Sequence, residues 1–209
     1  MYEDASQAAC SYKHFQKVYQ ALRGWQIFRG KSPPTPPDKV FGYLTALDQE
    51  LKTKRLRTLN KSEAARLPDA LVTLSRIKQT KRGPSLMAIS KFLHFWNPKM
   101  FVIVDREMMQ NWVFEHYWIT EAIRKTEEEL RETQLYSQEM QYPFLYYAAV
   151  LLWCSNLLRK NPNLTEHFSA FIKPYTSDSR LRKQLPKYDA LAVECFLLGV
   201  VDLAPHGQL

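Results

Sequence analysis

Glycine is scarce in this chain, six residues in 209 against 12 prolines. That scarcity argues against a fold built from many tight β turns. Cysteine is scarcer still. Cys10, Cys154 and Cys195 are odd in number, far apart and without a C-x-x-C pair, which excludes a disulfide framework and a cysteine zinc site. The histidines show neither H-x-x-x-H nor H-x-x-E spacing, so no metal is expected. The longest apolar run, Phe144 to Cys154, has 11 residues, too few to span a bilayer. The acidic start Met1-Tyr2-Glu3-Asp4 lacks the apolar stretch of a secretory leader. A cytoplasmic protein with reduced thiols and no membrane partner is the expectation. G-x-S-x-G, P-loop and G-x-G-x-x-G motifs are all missing, so neither a serine hydrolase site nor a bound cofactor is predicted.

Acidic side chains are nearly missing from one place. Between Lys52 and Lys91 stand 11 basic residues, opposed only by Glu63 and Asp69, a net +9 in a chain whose total is +8. The other 169 residues therefore sum to about −1. Such segregation is the footprint of a phosphate-binding face, although a solvated basic surface reads the same way.

What remains is helical in pattern nearly throughout. Ala9, Tyr12, Phe15, Tyr19 and Leu22 form an amphipathic stripe over 5–24. The prolines of 30–37 predict a stiff polyproline connector. A helix from Asp38 through Leu51 follows, then loop over 52–61. Another helix opens at Ser62, with Pro68 near its first turn or kinking it. Helices are then predicted over 85–96, 105–118 and 120–138, the last a solvated outer helix. The most apolar helix starts at Pro143 and ends near Lys160. Shorter helices are predicted at 164–172 and 188–203. Met100–Val104 is the one strand candidate. We expect a single helical domain over 1–209, with sub-lobes at 38–118 and at 1–37 plus 119–209.

The stretch from Ser90 to Asp105 carries the most chemistry. An apolar helix ends at Asn97-Pro98, and a run without polar side chains delivers a lone carboxylate, Asp105, to the next helix start. Asp105 suits an N-cap. An ionised carboxylate there also suits stabilising an oxocarbenium ion or orienting water. Upstream, Lys78, Lys81, Arg82, Gly83 and Ser85 form a basic turn ahead of a helix, with Lys91 further along, a pattern that suits phosphate. His94, between Leu93 and Phe95, reads as a core histidine. Trp96, Phe101, Trp112, Phe114, Tyr117 and Trp118 are the aromatics available to stack bases or fill the core.

These residues resemble the helix-hairpin-helix DNA glycosylases, and more closely some divergent bacterial relatives of that superfamily. Ser90, Lys91, Leu93, His94, Phe95, Pro98 and Asp105 carry the likeness, together with Lys187-Tyr188-Asp189 before the last apolar stretch. The resemblance is good over about 78–112. It implies an all-α, two-lobed fold that binds DNA across the hairpin, with Asp105 matching the catalytic aspartate. Arg82-Gly83-Pro84-Ser85 lacks the usual second glycine. Leu86 stands where lyase-active members place a Schiff-base lysine, and Lys91 lies elsewhere on the helix. A monofunctional enzyme with water as nucleophile is implied. The alternative is a non-catalytic nucleic-acid-binding or protein-interaction module on the same fold.

Overall fold

The computed structural model describes residues 12–24, 35–47, 49–80, 83–104, 117–133, 142–166, 170, 189–190 and 193. Over these residues the fold is predominantly helical. Helix α1, Tyr12–Gly24, buries Phe15, Tyr19 and Leu22 of the predicted stripe together with Val18, which the stripe did not include, while Tyr12 is exposed and Ala9 lies outside the described residues. Pro36, at φ −56° and ψ 145°, is polyproline in conformation and leads into α2, Pro37–Thr45, which starts on a proline as helix first turns tolerate. The Tyr19 hydroxyl donates to Thr35 O at 2.7 Å, and Thr35 Oγ1 donates to Ile77 O at 2.7 Å. These two bonds tie the end of the connector to the middle of the chain.

Several expected boundaries shift. The helix predicted from Asp38 to Leu51 is broken after Thr45 into α2 and a short α3, Gln49–Thr53. The stretch 52–61, expected as loop, contains the end of α3 and a 3-10 turn at Leu56–Thr58, whose Leu56 is fully buried. Helix α4, Lys61–Leu71, starts one residue before the predicted Ser62. Asn60 caps it: Asn60 Oδ1 accepts from Glu63 N and Asn60 N donates to Glu63 Oε2, both at 3.0 Å. This reciprocal box satisfies two amides that the helix start would otherwise leave unpaired. Pro68 therefore lies well inside α4 rather than in its first turn. The helical register continues only as a 3-10 helix, Val72–Ile77.

A two-stranded antiparallel hairpin follows, β1 Gln79–Thr80 and β2 Gly83–Pro84, pairing Thr80 with Gly83. Thr80 Oγ1 donates to Gly83 O at 2.8 Å. Gly83 adopts φ +106°, a value that side-chain-bearing residues rarely take. Nothing lies within 4 Å of where its Cβ would be, so the need for glycine is one of backbone conformation and not of space. Helix α5, Leu86–Trp96, follows directly. The predicted strand at Met100–Val104 is not one: Met100 lies in a turn and 101–104 belong to neither helix nor strand.

Helix α6, Tyr117–Arg131, is not the wholly solvated helix its charges suggested. Ile119, Ile123, Thr126, Glu127 and Leu130 form a buried stripe. Helix α7, Tyr142–Lys160, is buried over most of its circumference and is the centre of the core. It packs against α6, α4, α5 and the Leu56–Thr58 turn. No described helix is long and apolar enough to cross a membrane.

Candidate nucleic-acid interface

The segment before Asp105 is held by an unusual set of bonds. Asn97 ends α5. Its Nδ2 donates to Leu51 O at 2.8 Å and to Lys54 O at 2.9 Å, while its Oδ1 accepts from Lys99 N at 3.1 Å. Leu56 N in turn donates to Lys99 O at 2.9 Å. The chain then leaves regular secondary structure through Phe101, Val102 and Val104, all buried. Buried backbone outside a helix or sheet must find other partners; Phe101 N donates to Asn97 O at 3.1 Å, and three side chains supply more. His94 Nδ1 lies 2.8 Å from Phe101 O, the Tyr147 hydroxyl donates to Val102 O at 2.8 Å, and Val104 N donates to Ser90 Oγ at 3.1 Å. A carbonyl only accepts, so the His94 proton in this bond sits on Nδ1. His94 is thus the core histidine its sequence setting suggests, with the added task of fixing this run.

Tyr147 also stacks on Phe101, ring centroids 6.5 Å apart at 17°. Tyr147→Phe keeps that contact and strands a buried carbonyl. We expect it to destabilise the fold by about 1–2 kcal/mol, read as a lower urea midpoint at unchanged slope. An unchanged midpoint would mean that this hydroxyl does not anchor the run.

Of the predicted site residues, Asp105, Lys81 and Arg82 lie outside the described residues. The structure brings Lys78 and Ser85 together at the base of the hairpin, where Ser85 N donates to Lys78 O at 2.9 Å, and places Gly83 at its loop end, paired with Thr80. Lys78 is half-buried, and burial pulls its amine below the ordinary lysine pKa. Ser85 occupies the N-cap of α5 without a side-chain capping bond. Lys91 is half-buried further along the same helix. The layout differs from two helices meeting at a turn: a 3-10 helix, then a β hairpin, then α5.

The +9 segment is not one uniformly free cationic face. Lys54 pairs with Glu63, and Lys61 with Glu129 at 3.3 Å. Burial alone would raise the Glu63 pKa. The hydrogen bonds from Lys54 and the Asn60 amide, with the charges of Lys54 and Arg66, outweigh it and hold the carboxyl below its usual range. Arg55 and Arg57 both converge on Asp189, which is completely buried. Arg55 Nε donates to Oδ2 at 3.2 Å and Nη2 to Oδ1 at 3.0 Å, while Arg57 Nε lies 3.7 Å from Oδ1. Arg57 also donates to Pro162 O at 3.2 Å and Thr165 Oγ1 at 2.9 Å. The sequence offered no local signal for this pairing, because Asp189 stands 134 residues from Arg55.

Among the aromatics, Trp96 and Phe101 are core, and Trp112 and Phe114 lie outside the described residues. Tyr117 and Trp118 are 71% and 55% exposed at the start of α6. The Trp118 ring lies 6.4 Å from Trp153. A cleft of about 130 Å³ opens beside α4, floored by Leu51, Leu59 and Leu67 and rimmed by Lys54, Glu63 and Arg66. No group of three or more His, Cys, Asp and Glu side chains placed to hold a metal occurs among the described residues. Compared with known proteins, the chain matches no family model, no curated sequence and no solved structure.

Proposed function

We propose that this is a DNA-binding protein of the helix-hairpin-helix glycosylase type, in which the β1–β2 hairpin and the start of α5 meet phosphate and Asp105 serves base excision. The observation that carries this reading is the anchoring of Phe101–Val104 by His94, Tyr147 and Ser90. A catalytic carboxylate acts only when its supporting backbone is rigid, and a run that needs three buried side chains to hold it is a costly way to reach an ordinary cap. In this mechanism the nucleotide is extruded from the duplex. Asp105 then stabilises the positive charge that develops at C1′ as the base departs, and water completes the substitution. Leu86 supplies no amine, so no covalent intermediate with the sugar forms there.

Binding is tested with a short labelled duplex at a series of salt concentrations. The chain should bind with an affinity that falls steeply as salt rises. The Lys81→Ala, Arg82→Ala double variant should flatten the log–log salt slope by about 2 if each contacts one phosphate. Equal slopes for the two proteins would remove the hairpin from the interface. A non-catalytic interaction module is favoured by one observation, the exposed pair Tyr117 and Trp118, since large aromatics on a surface mark contact sites.

A further inference from the structure

We infer that Arg55 is a phosphate contact held in its binding orientation by Asp189, which acts as a positioning residue. This extends the proposed interface beyond the hairpin and rests on the nucleic-acid reading above. The two arginines of the cluster are used differently. Arg57 turns all three nitrogens toward the protein: Nη1 donates to Pro162 O, Nη2 donates to Thr165 Oγ1, and the buried Nε lies 3.7 Å from Asp189 without a hydrogen bond among the described residues. Arg55 engages Asp189 along one edge only, through Nε and Nη2. Its Nη1 has no hydrogen-bond partner among the described residues, and its side chain is 45% exposed against none for the carboxylate that grips it.

A guanidinium has five N–H donors in a planar fork. Clamping one edge fixes the plane and leaves the other edge pointing in a set direction. Free arginine side chains lose much rotamer freedom when they bind, and here Asp189 has already removed that freedom. One carboxylate faces two guanidiniums, so the cluster retains a net positive charge. The Leu56 N to Lys99 O bond also brings the backbone of Lys99 alongside, a cation with no ion-pair partner among the described residues. Lysine at position 55 would keep the charge but could not hold Asp189 bidentately and present a second edge.

The test uses the full chain and a short labelled duplex. Arg55→Ala should lower the salt slope by about 0.9 and weaken binding roughly three- to tenfold at moderate salt. Arg57→Ala should lose thermal stability while keeping the slope. In the unaltered protein, the Arg55 Nε–Hε resonance should shift on titration with the duplex, a readout that needs no variant to fold. If the chain binds duplex and the hairpin variant weakens it, yet Arg55→Ala keeps the slope and the Arg55 resonance stays put, this inference is overturned and the hairpin reading stands. If the unaltered chain binds no nucleic acid even at low salt, both fall together.

Discussion

Asp189→Asn should unfold well below the unaltered chain, by about 3 kcal/mol and, at ~2–4 °C per kcal/mol for a chain of this size, by roughly 6–12 °C. The carboxylate is completely buried and accepts from Arg55 twice, with Arg57 Nε 3.7 Å away. Asparagine has nearly the same shape but turns one acceptor into a donor. That donor would face two guanidiniums that only donate. The guanidiniums are partly exposed, 45% and 33%, so water can satisfy them in part. This holds the loss at the low end for breaking a buried pair. The loss should be local as well as global, since the same cluster bonds to Pro162 O and Thr165. Hydrogen exchange should speed up at 162–166 and 189–190 before it does in α7. A melting curve superimposable on that of the unaltered chain would show that the pairing contributes nothing to folding.

That cluster joins positions far apart in the chain and leaves no local trace in the sequence. The apolar helices were legible because their pattern is local. Pro143 and the run to Cys154 predicted α7 to within a residue at its start, and the spacing over 85–96 predicted α5. The hairpin was not legible as strand, since two residues on each side carry no alternation to detect. The start of α4 was legible in principle. Asn60 followed three residues later by Glu63 is a capping-box signature.

The charge excess of 52–91 is real as a count and incomplete as a surface. A sum over sequence cannot see that Glu129 and Asp189, both outside the segment, return to pair with Lys61, Arg55 and Arg57. Around Asp105, the run's burial was readable from its lack of polar side chains. The three side chains that hold its backbone were not, because satisfaction of a carbonyl such as Val102 O depends on Tyr147, 45 residues away.

Asp105→Asn should bind duplex as well as the unaltered chain and lose base excision by about 100-fold or more. Asparagine caps a helix nearly as well as aspartate, so the fold and melting temperature should hold. Removing a negative charge beside phosphate should leave affinity equal or slightly tighter. Only the task that requires an anion, stabilising positive charge at C1′, should disappear. Single-turnover reactions on duplexes that each carry one altered base, followed by alkaline cleavage at any abasic site, read this directly. Borohydride added during turnover should trap no protein–DNA adduct, because position 86 is leucine. The Tyr147→Phe variant supplies a graded companion. It leaves the carboxylate in place and loosens the run beneath it, so its excision rate should fall between those of Asp105→Asn and the unaltered chain. Excision undiminished in Asp105→Asn would take the carboxylate out of the chemistry. A variant that fails to fold would instead give the negative charge itself a structural role, since asparagine keeps the cap, and the anchored run would then serve the architecture of α5 and α7 alone.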